Sequence, residues 1–186
     1  MRWTSKLAPG LFALALFSGC QVLSLRIIGK DEGKIRTEDF AGVWISMDSG
    51  RASDTVVFSG LTARPAVLLS RSCAGADSAV IELTSSHGLN FLNLIELHPK
   101  KEEYAWAAFD RVGDTIRMHI PRSAFFAEAV KKGELRGKVD SGGSVLLTAK
   151  SENVVAFLRR NRGTQGLFDE RRRSQLVRSP GGCPVR

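Results

Sequence analysis

Hydrophobic and polar side chains alternate in short runs through the middle of the chain. In residues 89–97, Leu92 and Leu94 fall on one face of an extended segment, and Phe91 and Asn93 fall on the other. This alternation is typical of a strand with one better-buried face, and glycine-containing turn signals separate the successive runs. The pattern predicts a mainly β fold of the α+β class, an antiparallel meander that could curl into an open or partial β-barrel.

Two later segments have helical rather than alternating spacing. Ser123 is predicted to cap a helix over Ala124–Lys132, in which apolar side chains recur at i, i+4. Ser151 is predicted to cap a second helix, with Val154 and Leu158 on its apolar face. The fold therefore includes two short helices that flank the sheet.

The N-terminal stretch has the pattern of an export signal. Arg2 and Lys6 precede an unbroken apolar run over residues 11–17, and two small residues follow the run. The run is far shorter than the roughly 20 residues that a membrane-spanning helix needs. We expect residues 1–19 to be a signal peptide.

The segment Phe17-Ser18-Gly19-Cys20 resembles the lipobox of bacterial lipoproteins. The resemblance implies that Cys20 carries a diacylglyceryl group and a further acyl chain such as palmitate, and that residues 20–37 are a lipidated N-terminus and tether. Two or more acyl chains hold a protein stably on a membrane. Gln21 after the cysteine implies the outer membrane, with the domain facing the periplasm. The alternative is an ordinary cleaved signal peptide that happens to contain a cysteine.

The formal charge of +8 is concentrated at the C-terminus. Residues 21–158 carry 17 basic and 17 acidic side chains, whereas residues 159–186 carry eight arginines and two acids. The run Arg171, Arg172 and Arg173 lacks the interleaved aromatic residues that stack on bases, so we expect no nucleic-acid partner. Two interpretations stay open for residues 170–186: contact with an anionic surface of phosphates, or a basic, solvated and partly disordered tail.

The three cysteines suggest one disulfide. If Cys20 is acylated, Cys73 and Cys183 are the two thiols left in a compartment that oxidises thiols. Their pairing is a hypothesis, and two free thiols are the alternative. No spacing typical of metal ligands is present, so we expect no metal site.

Gly42-x-Trp44 resembles the first-strand signature of lipocalins and related calycin barrels, in which the tryptophan closes the floor of the barrel. The resemblance implies a binder or carrier of a small apolar ligand or lipid. Such a protein would have an interior cavity bordered by Trp44 and Trp106.

Signals for catalysis are weak. Ser141-Gly142-Gly143-Ser144 has the composition of a hairpin turn and not of a Gly-x-Ser-x-Gly elbow, and the three histidines are not spaced as metal ligands. We expect a protein that is not an enzyme and holds no cofactor. A hydrolase site assembled from distant residues stays open as a weaker hypothesis.

Taken together, the early Gly-x-Trp, the meander and the two strand-helix units resemble small proteobacterial lipoproteins of uncharacterised function. That resemblance supplies no catalytic residue. We expect residues 38–169 to form a single β-rich domain that acts as a periplasmic interaction or structural module with an envelope protein partner. The alternative is the calycin-like binder of a small apolar ligand.

Overall fold

The computed structural model describes residues 21–48, 51–73, 78–95, 103–169 and 174–183. Within these residues the chain forms eleven strands, two α-helices and a short 3-10 turn over Thr37–Asp39. The strands are β1 (Val22–Ser24), β2 (Gly42–Asp48), β3 (Arg51–Thr62), β4 (Ala66–Ser72), β5 (Ser78–Ser86), β6 (Leu89–Ile95), β7 (Tyr104–Val112), β8 (Thr115–His119), β9 (Gly137–Val139), β10 (Val145–Leu147) and β11 (Ser174–Arg178). The helices are α1 (Ser123–Lys131) and α2 (Ser151–Arg160).

Eight of these strands close into an antiparallel barrel. Strands β2 to β8 pair each with the next along the chain, and β11 fills the gap between β8 and β2. Both helices lie in the long connection from β8 to β11. The prediction of a mainly β fold with two flanking helices is confirmed, and the barrel is closed rather than open. Closure removes free edges from this ring of strands.

The barrel wall next to the helices is buried on both faces. In β7 the side chains of Ala107 and Phe109 point into the barrel, whereas Trp106 and Ala108 point outward into a second apolar core. Four consecutive residues of this strand are therefore buried. A continuous buried run is what a strand covered on both faces requires.

The second core lies between the outer wall of β6 and β7, the two helices and the strands β1, β10 and β9. Its centre is a chain of aromatic rings from the wall to α2, with centroid distances of 6.2 Å for Phe91–Trp106, 5.8 Å for Trp106–Phe126 and 5.7 Å for Phe126–Phe157. The first two pairs pack edge to face, an arrangement that aromatic quadrupoles favour. These rings hold the helices on the barrel.

The segment after residue 20 belongs to the folded domain, which differs from the predicted tether over residues 20–37. Val22 is 5 % exposed and pairs in parallel with Val145 of β10, and Ile28 is fully buried. The predicted tether and the predicted domain start at residue 38 are both corrected by this packing. The free energy gained by burying these apolar side chains outweighs the conformational entropy that a flexible tether would keep.

A buried asparagine fixes this N-terminal segment to the barrel. Ile28 N donates to Asn93 Oδ1 at 2.8 Å, and Asn93 Nδ2 donates to Ile28 O at 3.1 Å, while Thr84 Oγ1 donates to the same carbonyl. The next residue, Gly29, has φ +84°, and a Cβ there would lie 2.7 Å from Thr84 Oγ1. Glycine is therefore required where the chain crosses the outer wall.

Replacing Asn93 with leucine is expected to lower the free energy of unfolding by about 2 to 4 kcal/mol, because Ile28 N would be buried without an acceptor. The measurement is urea denaturation followed by circular dichroism. Asn90 is a matched control, since it lies half-buried on the same strand and takes no part in the bonds to Ile28. Equal losses for Asn93→Leu and Asn90→Leu would contradict the role assigned to the network.

The predicted tail also differs from the structure where the structure describes it. Residues Ser174–Arg178 form β11, which pairs with β2 on one side and β8 on the other, and Leu176 is fully buried. The domain therefore extends past residue 169. The sequence signal for this strand is weak because Leu176 is its one fully buried side chain. In the sequence, arginines precede the strand and prolines follow it.

Neither predicted serine cap holds its helix by a side-chain bond. The helices begin at Ser123 and Ser151 themselves, and Arg122 and Lys150 occupy the capping positions. Ser151 Oγ instead accepts a bond from Gly29 N at 2.8 Å. This hydroxyl joins α2 to the N-terminal segment.

Candidate functional site: the interior of the barrel

Trp44 closes one end of the barrel. The 3-10 turn brings Phe40 beneath β2, and Trp44 Nε1 donates to Phe40 O at 2.7 Å. The guanidinium of Arg178, at the end of β11, lies 4.6 Å from the centroid of the indole ring. Gly42 has φ +128°, and a Cβ there would lie 3.0 Å from Arg178 Nη1. The Gly-x-Trp pair thus provides both the ring and the space for the cation above it.

Arg178 ties the last strand to the residues before the first barrel strand. Its guanidinium donates to Asp39 O at 2.6 Å and to Ala41 O at 2.8 Å. Its Nε lies 3.3 Å from Asp114 Oδ1. One side chain therefore holds three segments together at the closed end.

A second arginine layer surrounds this end. Asp39 Oδ1 lies 3.3 Å from Arg36 Nη2 and 3.6 Å from Arg111 Nη1. The hydrogen bond and charge of Arg36 hold the pKa of the Asp39 carboxyl below its usual range, and Arg111 acts in the same direction. Arg111 also lies 5.5 Å above the Phe40 ring. These contacts belong to the architecture of the closed end.

The interior above the closed end is filled by apolar side chains. The cavity between them is about 10 Å³, which is room for about one water molecule. Its lining residues are Phe40, Phe58, Leu68, Ile81, Leu83, Leu92, Phe109, Ile116 and Leu176. In this structure the cavity is much too small for a lipid or other bulky apolar ligand.

The structure does not bring Trp44 and Trp106 together. Trp44 lies inside the barrel, whereas Trp106 lies in the second core on the outer side of β7. The predicted cavity bordered by both rings is therefore not formed. Within the described residues the indole Nε1 of Trp106 is buried without a hydrogen-bond partner.

The inward positions at the other end of the barrel are polar on one side. Ser46 of β2 and Asp54 of β3 are cross-strand partners, and the inward Ser70 of β4 pairs with Phe58 of β3. Asp54 Oδ1 accepts a bond from Thr55 N at 2.7 Å. In the described part of the chain Asp54 Oδ2 is buried and has no partner. A buried carboxylate oxygen normally accepts a hydrogen bond. The polar group of Ser46, Asp54 and Ser70 is therefore a candidate binding site for a ligand that supplies a donor.

This polar group was not predicted from the sequence. Ser46, Asp54 and Ser70 interrupt the apolar alternation at inward positions of three neighbouring strands. That interruption is the local signal that could have found them. Recognising it needs the register, which the closed barrel defines.

Cys73 and Cys183 form a disulfide across a sequence separation of 110 residues. Ser179 N donates to Val43 O at 2.8 Å, so the chain stays beside β2 for one residue after β11 before it reaches this bond. The predicted lipid site Cys20 lies outside the described residues, as do Arg171, Arg172 and Arg173.

Titratable groups of the described residues form no cluster with the spacing that a metal site requires. No set of three or more histidine, cysteine or acidic side chains that could hold a metal ion occurs within the described ranges. His119 Nε2 lies 2.9 Å from Asp110 Oδ2, and burial raises the pKa of Glu82.

Of the helices in the described residues, none is long and apolar enough to cross a membrane.

The fold defines the class of protein: a closed eight-stranded antiparallel barrel, sealed at one end by a tryptophan and an arginine, with two helices packed on one wall and three further strands that continue the sheet from β7. Comparisons of this chain with known protein families, with curated proteins and with solved structures found no match.

Proposed function

We propose that the protein is a lipid-anchored envelope protein whose barrel domain acts as a periplasmic interaction or structural module. The observation that carries this proposal is the apolar packing inside the barrel: the cavity described among its inward side chains measures about 10 Å³, so we assign contacts to the outer surface. The closed end is sealed by Trp44 and Arg178, which adds to the rigidity of such a module.

The lipid anchor rests on the resemblance of residues 17–20 to a lipobox. The outer membrane is proposed from Gln21, which follows the cysteine. The N-terminal acyl chains would suffice as the attachment to the membrane.

Labelling with radioactive palmitate in a bacterial host tests the anchor. The protein with its own Cys20 is expected to incorporate label and to fractionate with the outer membrane, because a lipidated cysteine is the proposed attachment. Cys20→Ala is expected to incorporate none, whereas C73A/C183A is expected to keep the label. Failure of the unaltered protein to take up palmitate would contradict the anchor.

In-cell photo-crosslinking tests the interaction role. Leu61 and Val112 are 51 % and 63 % exposed, and they lie at the ends of β3 and β7 near the closed end of the barrel. A photoreactive residue at either position is expected to yield an adduct with an envelope protein, since exposed apolar side chains favour protein contacts. Glu128, exposed on α1, is the control position. Adducts at Glu128 alone would contradict this assignment.

A second candidate function is the binding of a small ligand at the polar end of the barrel. Asp54 Oδ2, buried without a partner among the described residues, favours it. The small interior volume argues against a bulky apolar ligand, so the calycin-like alternative narrows to a compact ligand with an amine or hydroxyl donor.

Native mass spectrometry of the chain from residue 21, exported without its lipid, tests this candidate. The unaltered protein is expected to retain a small adduct, and Asp54→Leu is expected to lose it because the acceptor is gone. Asp114→Leu removes an exposed carboxylate and is expected to keep the adduct. A clean unliganded mass for the unaltered protein would argue against a tightly bound ligand.

A further inference from the structure

The place where the chain enters the fold is defined by strand register. Strands β8 and β1 lie along the same edge of β7, with His119 opposite Ala108 and Leu23 opposite Ala105. Only two residues of β7 separate these pairs. Gln21 therefore lies beside the end of β8, close to residues 120–121.

The connection from residue 20 to the folded domain is short, because the fold begins within two residues of it. Gln21 O accepts a bond from Val145 N at 2.7 Å, and Val22 is 5 % exposed. Two extended residues span at most about 7 Å, so an acyl group on residue 20 would hold this side of the domain against the lipid head groups. That distance is within about one Debye length at physiological salt.

The ends of both helices meet at this same side. Arg122, which precedes α1, donates its backbone N–H to Leu167 O at 3.1 Å. Leu167 follows the tight turns after α2, in which Arg162 N donates to Arg159 O and Thr164 N donates to Asn161 O. The chain after α2 therefore returns to the start of α1, close to Gln21.

Four exposed arginines lie at the start of α1 and at the end of α2, and we call this set the basic face. They are Arg122, Arg159, Arg160 and Arg162. None of them makes an ion pair within the residues that the structure describes, whereas the arginines of the closed end are paired with Asp39 and Asp114. Unpaired guanidinium groups are suited to bidentate hydrogen bonds with phosphate oxygens.

We propose that the basic face rests on an anionic lipid bilayer, where its arginines bind phosphate groups of the lipid heads. The membrane-facing side would then be the side with Gln21, and the closed end of the barrel would stay available to a partner. The positive charge of the basic face complements the negative charge of anionic lipid head groups, and the short connection from residue 20 would keep this face close to the membrane. Both arguments favour a lipid surface as the binding partner of the basic face. This orientation deepens the proposed lipid-anchored function and rests on it, although the binding of the face to lipid can be tested without the anchor.

Vesicle co-sedimentation of the unlipidated chain from residue 21 tests the proposal. The fold begins at Val22, so this chain contains every described element. Vesicles of phosphatidylethanolamine with phosphatidylglycerol are expected to bind it at least tenfold better than neutral phosphatidylcholine vesicles, and added salt is expected to weaken the binding.

The variant R122Q/R160Q/R162Q is expected to bind the anionic vesicles roughly 100-fold less, on the basis of about fivefold for each basic residue near such a surface. The variant K131Q/K132Q/R136Q is a matched control, because it removes the same charge from exposed positions at and just after the C-terminal end of α1. The control is expected to lose less than about threefold if docking is specific to the basic face. Thermal melts confirm that both variants fold.

Equal losses in the two variants would overturn the basic face, since net charge alone would then explain binding. Loss confined to a third variant, R171Q/R172Q/R173Q, would overturn it as well and assign the contact to that run. The anchor is tested separately by palmitate labelling. Palmitate labelling without vesicle binding would contradict only the proposed lipid contact of the basic face. Vesicle binding without palmitate labelling would contradict only the proposed lipid anchor.

Discussion

Replacing Trp44 with alanine is expected to lower the free energy of unfolding by about 3 to 5 kcal/mol. The indole is fully buried, so its removal leaves a cavity at the closed end of the barrel. The same change removes the bond from Nε1 to Phe40 O and the ring beneath Arg178. Urea denaturation followed by circular dichroism measures the change without depending on tryptophan fluorescence.

Trp44→Phe separates packing from hydrogen bonding. Phenylalanine keeps most of the apolar volume but leaves Phe40 O without its donor, so we expect a loss of about 1 to 3 kcal/mol. Val112→Ala changes a residue that is 63 % exposed at the same end and is expected to change stability by less than about 0.5 kcal/mol. Losses of the same size in Trp44→Ala and Val112→Ala would show that Trp44 does not anchor the barrel.

Removing the disulfide with C73S/C183S is expected to lower the free energy of unfolding by about 4 to 5 kcal/mol, because the bond closes a loop of 110 residues in the unfolded chain. For a chain of this size the melting temperature should fall by roughly 10 to 15 °C. Thermal unfolding of the oxidised protein and of the double variant measures the difference.

Reduction provides the matched control for the disulfide. Dithiothreitol is expected to lower the melting temperature of the unaltered protein by a similar amount and to leave C73S/C183S unchanged. Thiol counting on the denatured, unreduced chain from residue 21 should find no reactive thiol. Two reactive thiols, or equal melting temperatures with and without reductant, would contradict the assigned stabilisation.

Local periodicity was sufficient to predict the helices and strands in which the buried side chains lie on one face. The helix predicted over Ala124–Lys132 is observed over Ser123–Lys131, because i, i+4 apolar pairs and the glycine after the helix are local signals. The alternation predicted for residues 89–97 corresponds to β6 over Leu89–Ile95 within the described chain.

Pairing between distant segments could not be predicted. Strands β1 and β11 are three and five residues long, and they are stable because β10, β2 and β8 surround them. Val22 pairs with Val145 and Leu176 pairs with Ser46, across more than a hundred residues in each case. Short strands of this kind leave too little local pattern to be recognised.

The candidate site was only partly visible in the sequence. The resemblance of Gly42-x-Trp44 to a first-strand signature predicts that Trp44 lies at the floor of a barrel, and the structure buries this ring at one end of the barrel. Trp106 was assigned to the same cavity, because neighbouring apolar residues in a strand buried on both faces do not indicate which face lines the barrel.

The sequence by itself determined the mainly β composition, the two helices and the tryptophan at the start of the barrel, because each depends on residues close together in the chain. Only the tertiary structure decided that the sheet closes, that Val22 and Ile28 are buried and that Asp54 Oδ2 is buried without a partner within the described residues. It also decided that Arg36, Arg111 and Arg178 lie beside carboxylates of Asp39 and Asp114. These features depend on register and on contacts between distant segments, where burial of the whole set of side chains outweighs local preference.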